Sequence, residues 1–198
     1  MRKYPSKKST KEWIPPAMTA DYLRGATSQY LGRYVPSKYQ LKQVLWRKIN
    51  KNIRDRGSGN RSDYEMMVVD ELAYREKTGD LDDVRFADSW VESLHRRGKS
   101  KLQIRVKLQQ KGISKTIITK SLEVLEEGEE DHALIAAVRY ARKRRFGPFQ
   151  TDLKKRIDRK QKDVAAMMRA GHSYDCIKKI MACQTLDEIE EIENNQGF

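Results

Sequence analysis

The feature that most constrains the fold of this chain is an internal repeat, in which matching residues recur at an interval of 63 positions. The matching positions are Ser37, Leu41, Leu45 and Lys48 in the first copy and Ser100, Ile104, Leu108 and Lys111 in the second. In both copies the apolar residues are four positions apart, which is the spacing of one helix face. The segment from Leu102 to Leu108 also alternates apolar and polar residues, a pattern typical of a half-buried strand. Because the first copy has Gln43 where the second has Val106, only the helical spacing is common to both, and we predict a helix.

Two further matching segments extend the repeat to a third copy. Gly112-Ile-Ser114 precedes apolar residues at 118 and 122, and Gly171-His-Ser173 precedes apolar residues at 177 and 181. We therefore predict an all-α fold of three tandem three-helix repeats in an elongated, curved row, because short helices with one apolar stripe must stack to extend their core. The expected segments are a basic flexible arm over 1–18, repeats over 19–79, 80–128 and 129–184, and an acidic C-terminal helix or tail over 185–198.

Apolar spacing also identifies the expected core. It comprises Trp90, Leu94, Ile104 and Leu108 in the middle repeat, and Leu134, Val138 and Met168 in the third. The helix after Pro148 carries a longer stripe of Leu153, Ile157, Val164 and Met168. We expect capping boxes to begin helices at Ser62–Glu65 and Thr185–Glu188. Left-handed glycines should end helices at Gly79, Gly98, Gly112 and Gly171.

The charge is concentrated in blocks that suit a polyanionic partner. Lys and Arg number 41 against 28 Asp and Glu, a formal net charge of +13. Residues 1–60 hold 14 basic and 3 acidic side chains, and residues 139–162 hold 11 basic and 2 acidic. Nucleic acid is the first partner to expect of such a distribution. The arm adds long-range attraction through Lys3, Lys7, Lys8 and Lys11.

The candidate binding residues form two groups. The first, in the third repeat, comprises Arg142, Lys143, Arg144, Arg145, Lys154, Lys155, Arg156, Arg159 and Lys160. The second, in the middle repeat, comprises Arg96, Arg97, Lys99, Lys101 and Arg105. One or two cations at a helix end are explained by the helix dipole, but four in succession are not. We expect Lys143 and Arg144 to point away from the apolar stripe, and Arg142 and Arg145 to lie near it.

The sequence offers little to an enzyme or a metal site. Asp80, Asp82 and Asp83 could hold Mg²⁺, but their place before a helix suits capping instead. Cys176 and His172 lack a third group that would orient them for nucleophilic catalysis. Cys176 and Cys183 are too far apart along a helix for a disulfide, so we expect free thiols in a reducing cytoplasm. We expect neither a cofactor nor a metal, and no apolar run reaches the ~20 residues that span a membrane.

The ordered set of motifs in the second and third copies resembles the RecX family, the regulators of the RecA recombinase, over about residues 20–185. In the middle repeat the resemblance rests on Leu81-Asp-Asp83-x-x-Phe86-Ala87, Arg96-Arg-Gly-Lys-Ser100 and Lys111-Gly112-Ile113. In the third repeat it rests on Ala141-Arg-Lys-Arg-Arg-Phe-Gly-Pro-Phe149 and Arg169-Ala-Gly171-x-Ser173-Tyr174. The first repeat matches more weakly, through Tyr30-Leu31-x-Arg33-Tyr34-x-x-Ser37, and His172 stands where the family often has an aromatic residue.

The resemblance implies a protein of tandem three-helix repeats, not an enzyme, that binds RecA filaments on DNA. We also expect a monomer, located in the cytoplasm. Such a protein lies in the filament groove, opposes filament growth, and lowers ATP hydrolysis, strand exchange and co-protease activity. Single- and double-stranded DNA would be bound without sequence specificity. The helix expected over 100–111 is apolar where a DNA-reading helix must be polar, which favours phosphate contact over base readout. The alternative is a helical DNA-binding protein without a recombinase partner.

Overall fold

The computed structural model describes residues 15–126 and 131–194, and within these ranges the predicted all-α fold of three-helix repeats is confirmed. These ranges hold ten α-helices, two short 3-10 helices and no strand. The chain divides into two units. The first comprises residues up to Pro36 together with Gln40–Leu81 and contains one repeat. The second comprises Ser37–Tyr39 and the residues from Asp82 onward, and contains the other two.

The first repeat consists of α1 (Ala20–Leu31), α2 (Lys38–Arg56), a 3-10 helix (Arg61–Tyr64) and α3 (Glu65–Lys77). Its core is formed by side chains from all three α-helices, including Leu23, Leu41, Leu45, Ile49, Val68 and Leu72.

The start of the described chain is held against the first repeat. Met18 is buried in the core, Asn52 donates to the Pro16 carbonyl at 3.0 Å, and Arg56 donates to the Pro15 carbonyl at 2.9 Å. The flexible arm expected over residues 1–18 is therefore corrected at its last four residues. Residues 1–14, with the four lysines at 3, 7, 8 and 11, lie outside the described residues.

The middle repeat consists of α4 (Asp83–Arg96), α5 (Lys101–Gln110) and α6 (Lys115–Glu126). The helix predicted through the alternating segment is thus confirmed. Leu94, Ile104 and Leu108 are buried as predicted, whereas Trp90 is half-buried and stacks on Phe86 with ring centroids 5.4 Å apart.

The three aspartates before α4 have structural partners. Asp82 caps α4 by accepting from the backbone N–H groups of Val84 and Arg85 at 2.9 and 3.0 Å. The Asp83 carboxylate accepts from the Lys38 N–H at 2.8 Å, and Asp80 pairs with Arg75 at 3.0 Å. These bonds agree with the capping interpretation of the cluster.

The third repeat consists of α7 (His132–Arg144), a 3-10 helix (Gly147–Phe149), α8 (Leu153–Arg169) and α9 (Tyr174–Ala182), followed by α10 (Leu186–Asn194). Its core contains Leu134, Ala137, Val138, Met167, Ile177, Ile180 and Ile189. Ile189 brings α10 onto this core, so α10 packs as a fourth helix of the repeat. Cys176 and Cys183 are buried free thiols, as predicted.

Of the apolar stripe predicted for α8, only Val164 packs against the core of the repeat. Leu153 is largely exposed. Ile157 is 74% exposed and Met168 is 52% exposed, while Met167 is fully buried. The positions that face the rest of the repeat, 156, 163 and 167, each precede a predicted position by one residue, and one residue rotates a helix face by about 100°. Arg156 holds this rotation because its guanidinium donates to the carbonyls of Cys183 and Gln184 beyond α9. The prediction of Met168 as core is therefore wrong.

The predicted helix ends are mostly confirmed. Gly79, Gly98, Gly112 and Gly171 have φ angles of +76°, +71°, +78° and +82°. The Glu188 N–H donates to Thr185 Oγ1 at 3.3 Å, although the Glu188 carboxylate accepts from Gln184 and not from Thr185. The box at Ser62–Glu65 is wrong, because a 3-10 helix begins earlier and Asn60 pairs with Asp63 as its cap.

The serine that precedes one helix contacts the turn that precedes another, and this contact explains why serine and glycine recur in the sequence. Ser100 Oγ donates to the Ala170 carbonyl at 2.6 Å, and a Cβ on Gly171 would lie 2.7 Å from that Oγ. Within the same unit, Ser37 Oγ donates to the Lys111 carbonyl at 2.6 Å. In both places the serine directly precedes the second helix of its repeat, and the residue whose carbonyl accepts the bond directly precedes a left-handed glycine. The recurring serine and glycine therefore mark the same type of contact at two places in the chain.

Candidate nucleic-acid interface

Gly98 places the turn between α4 and α5 directly on the backbone of α7. A Cβ on Gly98 would lie 2.6 Å from the Tyr140 nitrogen and 3.0 Å from the Arg139 carbonyl carbon, closer than real Cβ atoms approach such atoms. The residue also has a left-handed φ of +71°, which side chains disfavour. Only glycine has both the freedom to adopt this φ and no Cβ to clash with α7. The basic residues on either side of Gly98 therefore lie beside α7.

This packing brings cations from both sequence groups into one electrostatic environment. Lys99 is half-buried, and desolvation lowers the pKa of its ammonium group. The positive charges of Lys107, Lys143 and Arg144 lower the same pKa further. We call these four residues the Lys99 cluster. Because like charges held together repel one another, a polyanion bound here would relieve repulsion as well as gain attraction.

The outer side chains of the cluster are open to solvent. Lys143 and Arg144 are exposed at the end of α7, as predicted from the helical spacing. The Arg144 guanidinium lies 5.8 Å from the Tyr140 ring centre, a contact that orients it over an aromatic face. Neither cation forms an ion pair with a carboxylate in the described ranges. Both can therefore reach phosphate oxygens without first losing a partner.

The two neighbouring arginines behave differently from each other. Arg142 donates to Glu193 of α10 at 2.6 Å and lies 5.4 Å from the Phe149 ring, in agreement with its expected place near the apolar side. Arg145 is exposed, and its predicted place near the stripe is wrong. It ends α7 with a left-handed φ of +56°, so the helical spacing that placed it no longer applies.

The basic residues of α8 are divided by their contacts. Arg156 bonds to the backbone beyond α9, Lys155 pairs with Asp152 at 3.3 Å, and Arg159 lies 3.7 Å from the buried Asp163. Lys154 and Lys160 are exposed and have no ion pair in the described part of the chain. The nine-residue block in the third repeat is therefore not one uniform surface.

The remaining predicted cations lie around the middle repeat. Arg97, Lys101 and Arg105 are exposed, and Arg96 is 3.8 Å from Glu92 with both side chains largely in solvent. Leu102 and Val106 on α5 are also exposed, which leaves apolar groups where base readout would need hydrogen-bonding groups. This face of α5 agrees with the expectation of phosphate contact without base readout.

Two features of this region were missed from sequence. Lys107 belongs to the Lys99 cluster, and its half-buried position depends on packing that no local pattern shows. The three histidines, distant in sequence, all line one cavity of about 200 Å³ between the middle and third repeats, together with Lys99. Burial, with a smaller effect of Lys99, lowers the pKa of His172 to about 4, so this ring is neutral at pH 7.

The cavity and its surroundings provide no metal centre. His95 Nε2 lies 2.8 Å from the His132 carbonyl oxygen, so the His95 ring is engaged in a hydrogen bond to the backbone. No group of three His, Cys, Asp or Glu side chains in the described ranges is arranged to hold a metal ion. Nor does any helix in those ranges combine the length and the apolar character needed to cross a membrane.

Comparison with known proteins identifies relatives over most of the chain. Residues 82–122 match the family model described as RecX, second three-helix domain. The chain is 34% identical to the regulatory protein RecX of Myxococcus xanthus over 84% of its length and 88% of that protein. It is 32% identical to the regulatory protein RecX of Agrobacterium fabrum, over 90% and 91% of the two chains. A crystal structure of regulatory protein RecX has a similar fold, with a TM-score of 0.55 at 20% identity, covering 83% of this chain and 72% of that one.

Proposed function

Because this chain belongs to the RecX family of regulatory proteins, we propose that it binds filaments of the RecA recombinase on DNA and limits their growth. Reduced growth would lower the ATP hydrolysis, strand exchange and co-protease activity of the filament. The observation that carries the proposal is the Lys99 cluster, in which the positive charges of Lys107, Lys143 and Arg144 act on Lys99 where the turn between α4 and α5 packs on α7. Such a basic surface would add affinity for the DNA of the filament.

The proposed role of the cluster is to contact the phosphate backbone. Lys and Arg side chains neutralise phosphates without regard to sequence, and the release of counterions makes the binding salt-dependent. The exposed Leu102 and Val106 on α5 favour this mode over base readout. Single- and double-stranded DNA should therefore both bind.

The proposal needs binding but no catalysis. Asp80, Asp82 and Asp83 already hold helix ends and an arginine, which argues against a nuclease centre. We propose that the protein acts as a monomer in the cytoplasm, without a cofactor, by occupying the filament.

A charge-removal variant tests this function. Lys99→Ala, Lys143→Ala and Arg144→Ala in one chain remove three charges of the cluster. Lys115→Ala, Lys120→Ala and Lys178→Ala remove three exposed charges elsewhere in the same unit and serve as the matched control. DNA-dependent ATP hydrolysis by the cognate RecA is titrated with each protein. We expect the cluster variant to need a higher concentration than the wild type, and the control to stay close to the wild type.

The same proteins are then compared on DNA alone. Each lost phosphate contact should lower the slope of log affinity against log salt by about one. An unchanged slope and an unchanged inhibition midpoint would mean that the cluster is only a solvated surface. Salt-sensitive DNA binding by a wild-type protein that leaves RecA unaffected would favour the alternative, a DNA-binding protein without a recombinase partner.

A further inference from the structure

Helix α8 exposes an apolar stripe that the core of its own repeat does not use. Leu153 is 69% exposed, Ile157 is 74% exposed and Met168 is 52% exposed. These residues lie along one side of α8, next to the buried face that contains Asp163 and Met167. Leu153 and Ile157 are one turn apart, whereas Met168 lies three turns farther along, beyond Val164, which packs against the core. Large apolar side chains that neighbour each other on an exposed helix face are typical of a surface that another molecule covers. We call Leu153, Ile157 and Met168 the α8 stripe.

Cations border the stripe on both sides. Lys154 and Lys160 lie three residues before and three residues after Ile157, so each is a neighbour of Ile157 on the helix surface, one to either side of it. Each is exposed, and neither has an ion pair with a residue that the structure describes. The nearby Lys155 is occupied by Asp152. The stripe is therefore an apolar strip flanked by two available positive charges.

Phosphate binding does not explain this arrangement. Phosphate oxygens bind cations and hydrogen-bond donors, and they gain nothing from exposed leucine and isoleucine side chains. The Lys99 cluster has what phosphates need and lies on other helices. A protein surface with apolar side chains between carboxylates would bury the stripe and pair both lysines. A two-fold contact between copies of this chain would instead place the same lysines opposite each other, which opposes self-association through this face.

We propose that the α8 stripe, with Lys154 and Lys160, is a docking surface for a protein segment that carries apolar side chains flanked by carboxylates, presented by the recombinase filament. The inference rests on the proposed function for the identity of the partner. It divides the two basic groups by role, with DNA at the Lys99 cluster and protein at α8.

The test removes the apolar contacts and keeps every charge. The variant carries Leu153→Asn and Ile157→Asn, and the control carries Val124→Asn at a residue of α6 that is 60% exposed. Binding is measured to filaments of the cognate recombinase assembled on single-stranded DNA, and separately to the same DNA alone. We expect the stripe variant to bind filaments about tenfold more weakly, as loss of an interface anchor does. Its affinity for DNA alone should stay that of the wild type, and the control should match the wild type in both assays.

Melting curves show whether each variant is folded. If the stripe variant does not fold, Lys154→Ala with Lys160→Ala tests the same surface through its charges. That variant should weaken filament binding more at low salt than at high salt, since exposed pairs are screened.

The outcomes separate this inference from the proposed function. Wild-type protein that does not bind the filament would overturn the proposed function. Wild-type protein that binds, together with a folded stripe variant that binds equally well, would overturn only the docking surface. An equal loss of affinity for DNA alone would assign the stripe to nucleic acid. If the wild type self-associates in sedimentation and the stripe variant does not, the stripe would be assigned to a second copy. If the wild type binds anionic vesicles and the stripe variant does not, the stripe would be assigned to a lipid surface. Each of these three results overturns the proposal.

Discussion

At the scale of single residues, a glycine and three histidines lie where the middle and third repeats meet. Gly98 ends a helix, and a Cβ at this position would lie 2.6 Å from the backbone nitrogen of Tyr140 in α7. That contact depends on how two repeats pack. His95, His132 and His172 share a cavity for the same reason, although no spacing links them. The residue types predict helix ends and charge. That Gly98 meets α7, and that the three histidines share a cavity, follows from tertiary packing.

His172 should make the stability of the protein depend on pH in a defined range. Its pKa in the folded protein is lowered to about 4, while an unfolded histidine has a pKa of about 6.5. As the pH falls below about 6.5, the unfolded chain binds a proton that the folded chain excludes, so stability is lost until the pH reaches about 4. The loss is on the order of 2–3 kcal/mol. His172→Phe removes the titrating group and should flatten this part of the profile.

The measurement is the free energy of unfolding in urea at pH 7.5 and pH 4.5, for the wild type and His172→Phe. The contributions of the other titrating groups cancel in the comparison of the two proteins. If both proteins lose the same stability between the two pH values, His172 is not the buried neutral group that the structure shows.

At the scale of elements, helix positions could be predicted but the rotation of one helix could not. The repeated serine and leucine spacing correctly predicts α5, against the strand pattern of Leu102 to Leu108. In α8 the apolar spacing selects Ile157 and Met168, whereas the buried face includes Met167 and the half-buried Arg156. Hydrophobic spacing assumes that apolar residues face the core. That assumption fails in α8, where the hydrogen bonds of Arg156 hold the helix and leave Ile157 and Met168 exposed.

Two adjacent methionines test the rotation of α8. Met167→Ala removes a fully buried side chain and should cost about 2–5 kcal/mol through lost burial and the cavity that it leaves. Met168→Ala removes a side chain that is largely exposed and should change stability by no more than about 0.5 kcal/mol. Urea unfolding of both variants gives the comparison. Equal losses, or a larger loss for Met168→Ala, would contradict the position of α8.

At the scale of the whole molecule, repeats of one type carry both the basic Lys99 cluster and the exposed apolar residues of α8. Three-helix repeats could be predicted from the matched spacing, and the family from the ordered motifs that run from Leu81 to Tyr174. The division of the basic residues could not, because Lys143 and Lys154 have the same charge and similar neighbours in sequence. Packing separates them: Lys143 joins Lys99 beside α4, whereas Lys154 borders the apolar stripe of α8.

We propose that this protein limits the growth of RecA filaments, and watching filaments extend tests that proposal. Fluorescent RecA is assembled on single-stranded DNA, and the extension rate of individual filaments is measured at increasing concentrations of the protein. We expect extension to slow and then stop with the wild type. The variant lacking Lys99, Lys143 and Arg144 should need a higher concentration for the same effect. Extension that continues at an unchanged rate with saturating wild-type protein would show that the protein does not limit filament growth.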